Sequence, residues 1–159
     1  MRKLFLLIVM LFMVVAVAPA APAATAAPAA PLSKTIIEAV GMDAGGNWIE
    51  RQGTSPAILN QNNPIVGNTI YLQVHYVGIL GSEVIYQSGK AIPKQYYKIT
   101  NTKYINGPGG IMAGEIVIYA IQKNGLPGPK TGNIGQLYVD AKGINSGSAY
   151  DFVNNLYLK

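Results

Sequence analysis

The sequence contains no cysteine. Without thiols the chain cannot form disulfides, hold a metal through thiolates or use a cysteine nucleophile, and it lacks the lipid-attachment cysteine of a bacterial lipoprotein. Small secreted domains with weak cores usually need disulfides. We therefore expect a disulfide-free domain that depends on its hydrophobic core and that is released rather than lipid-anchored.

Histidine is almost as scarce, because His75 is the only one. A Ser-His-Asp triad would have to use it, but no Gly-x-Ser-x-Gly elbow occurs in the chain. One histidine and no thiolate also leave a zinc site without its usual ligands. We predict no catalytic residues, no metal and no cofactor.

Carboxylates are few as well, and no calcium loop of the D-x-D-x-D-G type occurs among them. Two carboxyl groups facing one bond could hydrolyse a glycosidic linkage, but sequence spacing cannot show such a pair. A non-enzymatic protein is therefore the prediction, and a glycoside hydrolase is a less favoured alternative. The seven acidic residues are Glu38, Asp43, Glu50, Glu83, Glu115, Asp140 and Asp151.

A long hydrophobic run occurs only at the N-terminus. Arg2 and Lys3 precede an unbroken apolar stretch from Leu4 to Val17, and small residues follow at once. This order is typical of a secretory signal peptide, and the stretch is shorter than the roughly 20 residues that span a bilayer. We assign residues 1–23 to the signal peptide, with cleavage in the Ala-x-Ala region of residues 20–26; a retained membrane anchor is the alternative.

Residues 24–31 contain only Ala, Pro and Thr, which predicts a low-complexity spacer before a single secreted domain at residues 32–159. The formal charge of +5 falls when Arg2 and Lys3 leave with the signal, because ten basic residues then face seven acidic ones. Export and the lack of a basic helix argue against nucleic acid. The looser lysine set at 90–103 is consistent with solvated loops or with an anionic surface.

The clearest pattern lies in Gly67 to Leu80, where Ile70, Leu72, Val74 and Tyr76 alternate with more polar residues. This period of two predicts one long strand, and Glu83 to Gln87 is its expected hairpin partner. Glu115 to Gln122 has apolar residues in both alternating sets, which favours a central strand covered on both faces.

Shorter strands are predicted between the many glycines and prolines, and no long segment has a helical period. The fold class that follows is all-β and mainly antiparallel, a single-domain sandwich or open barrel. The shorter strands are expected at residues 35–42, 48–49, 95–100, 103–105, 136–140 and 155–158.

Aromatic side chains are dominated by ten tyrosines. Tyrosine suits positions with one apolar and one wet end, as on sheet faces and binding surfaces, although half-buried strand positions would explain it too. A binding face requires several rings exposed together, and Tyr96 and Tyr97 look like the most exposed pair. The predicted ligand-binding residues are Tyr96, Tyr97, Tyr71, His75 and Trp48.

Three segments resemble the small secreted bacterial YolA-like domain family of unknown function. They are residues 31–50 (PLSKTIIEAVGMDAGGNWIE), Gly110 to Tyr119 (GIMAGEIVIY), and residues 132–139 with the following GINS at 143–146. The chain departs from the family pattern at Ile65 to Asn68, where a His-Gly-Gly turn is expected. The resemblance implies export and a compact β-rich domain, and it brings no catalytic residues.

The functional prediction is a secreted, extracellular, non-enzymatic binding module for extracellular or cell-surface polysaccharide, cell wall or a protein partner, with no stable membrane anchor. The alternative is a secreted effector, an inhibitor or antimicrobial factor, that acts through the Gly/Pro loop 124–135 (NGLPGPKTGNIG). The sequence does not specify an oligomeric state.

Overall fold

A computed structural model describes residues 29–41 and 64–159 and the backbone of residues 49–50. These residues form nine strands and three single 3₁₀ turns, at Lys94–Tyr96, Pro108–Gly110 and Lys123–Gly125. The strands are β1 (Lys34–Gly41), β2 (Ile49–Glu50), β3 (Thr69–Val77), β4 (Leu80–Gln87), β5 (Lys90–Ala91), β6 (Tyr97–Asn106), β7 (Met112–Gln122), β8 (Gly132–Gly143) and β9 (Ser148–Leu158).

The strands form two antiparallel sheets that pack face to face on one core. The first sheet has the order β2-β1-β3-β7-β6 and the second has the order β5-β4-β8-β9. Their inward side chains join in a single apolar cluster, in which Leu72 and Val117 of the first sheet meet Ile85, Leu137 and Val153 of the second. The predicted all-β, mainly antiparallel domain is confirmed, as a sandwich.

β3 is the middle strand of the first sheet and shows the predicted alternation. Ile70, Leu72, Val74 and Tyr76 are buried, and the residues between them are half-buried on the outer face. The period of two therefore assigned the core side of this strand correctly.

The predicted end of this strand and its hairpin are wrong. β3 stops at Val77, and at Gly78, whose φ is 104°, the chain leaves the first sheet for the second. β4 then pairs with β5 and β8, not with β3. Glycine is favoured at this crossing because a positive φ strains other residues, and because a Cβ here would overlap the backbone of Pro31 and Leu32.

The predicted strand at 35–42 corresponds to β1, and the predictions in the second half of the chain are right in place but too short. Glu115–Gln122 lies within β7, which is interior because it pairs with β3 on one side and β6 on the other. Most of the two segments predicted at 95–100 and 103–105 belongs to one bulged strand, β6, but Gln95 and Tyr96 lie in the 3₁₀ turn before it. The segments at 136–140 and 155–158 are parts of the longer β8 and β9.

The described residues do not include the signal peptide, most of the spacer, or Trp48, which is the first residue of the predicted strand 48–49. Within the part of the chain that the structure describes, no helix is long and apolar enough to cross a membrane.

Candidate functional site

Three of the predicted site residues, Tyr71, Tyr96 and Tyr97, line one cleft of about 290 Å³ on the first sheet. The pairing of β3, β7 and β6 determines which side chain forms the floor of this cleft. Tyr71 pairs with Ala120 on β7, and Ala120 pairs with Lys98 on β6, so a small side chain lies between two long ones. We call this cleft the amide groove; it is lined by Thr69, Tyr71, Gln95, Tyr96, Tyr97, Lys98, Thr100, Ala120 and Gln122.

A second cleft of about 400 Å³ continues the amide groove, since it shares Thr69 and Gln122 and adds Asn68 and Asn124. The lining of the two clefts is mainly amide and hydroxyl. No carboxylate is among the described residues that line either one, and Lys98 supplies a positive charge. This region suits a polar ligand that carries hydroxyl groups.

The expectation that Tyr96 and Tyr97 form the most exposed pair is wrong. Tyr97 is only 5% exposed, and its hydroxyl donates to the carbonyl oxygen of Glu83 at 3.3 Å. Burial raises the pKa of Tyr97, while Lys94, whose Nζ lies 4.4 Å above the ring, opposes that rise. Tyr96 is half-buried against Gly125. The 3₁₀ turn before β6 rotates Tyr97 to the inner side, where it pairs with Ile121.

His75 lies on the same outer face but outside the groove lining. It is four residues along β3 from Tyr71, or roughly 13 Å at the rise of a strand. Its Nδ1 is 3.0 Å from Glu38 Oε1, and Gln73 donates to the other oxygen of that carboxylate at 2.9 Å. These contacts join β3 to β1, as expected of a structural surface residue. The prediction that His75 binds a ligand stays a prediction, as does that for Trp48.

A group of aromatic residues that the sequence analysis did not single out covers the outer face of the second sheet. Tyr86 of β4 pairs with Tyr138 of β8, which pairs with Phe152 of β9, so three rings form one row across the sheet. Tyr150 stands in the next row and is 63% exposed. We call these four residues the aromatic face.

Three rings of the aromatic face, those of Tyr86, Tyr138 and Tyr150, contact one another. The ring centroids of Tyr86 and Tyr138 are 5.5 Å apart with planes at 66°, and those of Tyr138 and Tyr150 are 5.5 Å apart with planes at 32°. Edge contacts and tilted stacks of this kind hold aromatic side chains in place. The face is therefore a fixed surface of rings.

Polar groups surround these rings and have no net charge. Asp140 lies in the row of Tyr150, and Lys142 lies in the row after it. At the other end Gln136 donates to Asn154 Oδ1 at 3.1 Å. Partial burial, followed by the negative charge of Asp140, raises the pKa of the Tyr138 hydroxyl. A tyrosine hydroxyl can both donate and accept hydrogen bonds.

Strand register explains why sequence reasoning missed the aromatic face. Its members come from three strands, and only the pairing of β4 with β8 and of β8 with β9 brings them together. One signal was available, because Tyr150, Asp151 and Phe152 alternate as β9 requires, with both rings on one side. That alternation identifies a strand with an aromatic face but not its neighbours.

Most described carboxylates have structural partners. Glu115 accepts from the Leu80 backbone N–H at 2.8 Å, Asp151 accepts from the Ile37 N–H at 2.8 Å, and Glu83 pairs with Lys94. Glu38 holds Gln73 and His75, as described above. Among the residues searched, those that the structure describes, no group of three His, Cys, Asp or Glu side chains could hold a metal ion.

Comparison with known proteins places the chain in a family without assigning it an activity. No curated protein matches the chain. A family model described as a domain of unknown function, DUF4879, matches residues 27–157, and these include both clefts and the aromatic face. The chain therefore belongs to the DUF4879 family.

Proposed function

We propose that the protein is a secreted, non-enzymatic binding module that holds a neutral polysaccharide on its aromatic face. The observation that supports this proposal best is the cross-strand row of Tyr86, Tyr138 and Phe152 with the exposed Tyr150 beside it. Secretion rests on the predicted signal peptide.

The chemistry of the face matches that of a sugar chain. A pyranose ring has an apolar C–H face and a rim of hydroxyl groups, so it needs flat apolar contacts with polar groups around them. Tyrosine rings supply the apolar contacts, and their hydroxyls, with Asp140, Gln136 and Asn154, supply donors and acceptors. Rings fixed on a sheet also lose little conformational freedom on binding.

Charge favours a neutral polymer over an anionic one. Asp140 and Lys142 lie in consecutive rows, so no excess of positive charge attracts an anionic chain to this face. Contacts made by stacked rings are also insensitive to ionic strength, whereas exposed charge contacts are screened. Binding by the aromatic face should therefore persist as salt is raised.

Co-sedimentation with insoluble neutral polysaccharides, such as cellulose and chitin, over a salt series tests the proposal. Tyr150→Ala should weaken binding about tenfold, since a central aromatic contact contributes more than about 1 kcal/mol. Tyr104→Ala is the matched control, because Tyr104 is 57% exposed but lies on β6 of the first sheet. Equal binding by the two variants, or no salt-resistant binding to any neutral polymer, would contradict the proposal.

The effector role of the Gly/Pro loop is a second candidate, and one observation favours it. Gln87 is buried and fastens the loop: its Nε2 donates to the carbonyl of Pro129 at 2.8 Å, and its Oε1 accepts from the Gly128 N–H at 2.8 Å. Pro127, Pro129 and Lys130 remain exposed on the fastened loop. A projecting loop held in one shape suits an inhibitor, because little ordering is needed on contact.

Growth of competing bacteria in the presence of the purified protein tests this second candidate. Replacing Pro127, Pro129 and Lys130 with serine should abolish inhibition while polysaccharide binding is retained. Inhibition that survives the replacement, or that is absent from the unaltered protein, would exclude a loop-based effector.

The absence of enzymatic activity and the relation to the YolA-like domains are also proposals. The hydrogen bonds of Glu115 and Asp151 support the absence of enzymatic activity, because both carboxylates accept from backbone N–H groups and so have structural roles. The short motifs at residues 31–50, 110–119 and 143–146 support the second, and with it the export of the domain.

A further inference from the structure

We propose that the amide groove on the first sheet is a second binding site, specific for an anionic sugar unit that carries a carboxylate or a phosphate beside its hydroxyl groups. This site lies on the opposite sheet from the aromatic face. The proposal rests on the residues of the amide groove alone and does not depend on polysaccharide binding at the aromatic face.

The shape of the groove suits one or two sugar units. Ala120 is 6% exposed and forms the floor, with Tyr71 on one side and Lys98 on the other. The first cleft, at about 290 Å³, lies near the lower end of the volumes typical of small-molecule sites, and the adjoining cleft extends it.

The hydrogen-bonding groups of the groove match sugar hydroxyls. Each amide side chain offers two N–H donors and one carbonyl acceptor, so it can both donate to and accept from a hydroxyl group. Within the described part of the chain, the side-chain amides of Gln95 and Gln122, which line the groove, form no hydrogen bond. The half-buried ring of Tyr96 adds an apolar wall for a C–H face.

Charge selects an anionic ligand. The Lys98 ammonium is exposed at the groove and has no ion-pair partner among the described residues, unlike Lys94, which Glu83 neutralises. Lys130 does not line the second cleft, but its Nζ donates to the carbonyl of Asn124, which does, at 2.6 Å. The Lys98 ammonium, beside a lining without described carboxylates, favours a negatively charged group, which Lys98 would bind by a charge-assisted hydrogen bond.

Isothermal titration of the protein, purified after expression of the full-length chain, tests the inference. The probes are trigalacturonate for the carboxylate, a glycerol phosphate trimer for the phosphate, and neutral galactotriose as the uncharged counterpart of the first. We expect one or both anionic probes to bind and to do so more weakly as salt rises, while galactotriose binds at least tenfold more weakly. The anionic probe that binds identifies the source of the charge.

Variants locate the site. Lys98→Gln removes the charge but keeps a polar side chain, and it should weaken anionic binding roughly tenfold, the scale of one charge-assisted hydrogen bond. Lys103→Gln is the matched control, because Lys103 is exposed on the same strand and outside the groove lining. Ala120→Leu, which fills the floor, should abolish binding of every probe; circular dichroism checks that this variant folds.

The result that overturns the inference is absence of binding by both anionic probes, or equal affinity in Lys98→Gln and Lys103→Gln. Tyr150→Ala tests the two proposed sites independently. It alters the aromatic face, so it should weaken binding of neutral polysaccharide and leave the affinity for the anionic probes unchanged. A loss of anionic binding in Tyr150→Ala would show that the anionic probe binds at the second sheet, and it would contradict binding at the amide groove.

Discussion

At the scale of single residues, Tyr76 and Tyr119 form a polar pair inside the core. Both side chains are fully buried, and their hydroxyl oxygens are 2.9 Å apart, so one hydroxyl donates and the other accepts. The edge contact of Tyr119 with the Tyr97 ring, at 6.2 Å between centroids, fixes the pair further. A buried hydroxyl without a partner is costly, and this arrangement avoids it.

Removing one hydroxyl of the pair should be worse than removing both. Tyr76→Phe leaves the Tyr119 hydroxyl buried and unpaired, which should lower the free energy of unfolding by about 1–3 kcal/mol. The double variant Tyr76→Phe/Tyr119→Phe leaves no orphaned hydroxyl and should be closer to the native protein. Urea unfolding of the native protein, Tyr76→Phe, Tyr119→Phe and the double variant completes a double-mutant cycle. Strictly additive losses of unfolding free energy would contradict this account.

The same pair predicts a fall in stability at alkaline pH. Burial raises the pKa of Tyr76 and of Tyr119 well above the usual value of 10.0. Above that value the unfolded chain releases these protons and the folded chain keeps them, so the native state binds more protons and the free energy of unfolding falls as pH rises. Below it both states are protonated, and the pair adds no pH dependence.

Unfolding free energies measured from about pH 8 to about pH 11 test this sign, since tyrosine titrates near 10 in unfolded chains. The slope above pH 10 should be flatter in the double phenylalanine variant. Tyr104→Phe is the control, because Tyr104 is exposed and has nearly the same environment in both states. An unchanged slope in the double variant would exclude the buried pair as the cause.

At the scale of elements, Gln87 is the residue that joins the end of β4 to the Gly/Pro loop. Its side chain is 1% exposed and makes three hydrogen bonds, to the Gly128 N–H and to the carbonyls of Pro129 and Ile134. The sequence predicts a loop over residues 124–135, which ends too late because β8 begins at Gly132, and it gives no sign of this anchor. From the sequence alone, a glutamine at the end of a strand is just as typical of an exposed surface position as of a buried anchor.

Replacing Gln87 with methionine keeps the volume and removes all three hydrogen bonds. We expect a loss of about 2–4 kcal/mol in unfolding free energy, because three backbone groups lose a buried partner. We also expect faster hydrogen exchange at the Gly128 amide. Gln136→Met is the control, since within the described part of the chain the Gln136 side chain bonds only to Asn154, at the outer face. Unchanged exchange at Gly128 in Gln87→Met would show that the loop holds its shape without this anchor.

The strands show what local pattern can and cannot predict. Alternation placed Ile70, Leu72, Val74 and Tyr76 in the core, because one face of β3 is buried along its whole length. It failed at Gly78, since a residue's hydrophobicity does not record that the backbone turns there with φ of 104°. The hairpin predicted between β3 and β4 failed for the same reason, as partner choice depends on contacts distant in sequence.

At the scale of the whole molecule, the candidate binding surfaces were predicted less well than the fold. Tyr71 and Tyr96 share one cleft, and their role in binding stays a prediction; the aromatic face depends on the register of β4, β8 and β9 and could not be found from single strands. The two surfaces lie on opposite sheets and differ in chemistry. One offers rings without net charge, and the other offers amides with a lysine.

The segment before β1 links the two sheets at one end of the sandwich. Ser33 N–H donates to the carbonyl of Val77 at 2.8 Å, at the end of β3 in the first sheet. Leu32 N–H donates to the carbonyl of Ser146 at 3.1 Å, in the turn between β8 and β9 of the second. The Leu32 side chain is 3% exposed and belongs to the common core. It therefore closes the core at this end.

Truncating this side chain should weaken the whole domain. Leu32→Ala removes a buried aliphatic group and leaves a cavity, which should lower the free energy of unfolding by about 2–5 kcal/mol. Leu32→Met keeps most of the volume and should cost less than about 1.5 kcal/mol. Because the segment contacts both sheets, the transition should stay cooperative, with a lower denaturant midpoint and an unchanged slope. A midpoint that Leu32→Ala leaves in place, or a second transition from one sheet alone, would mean that the sheets are held together without this residue.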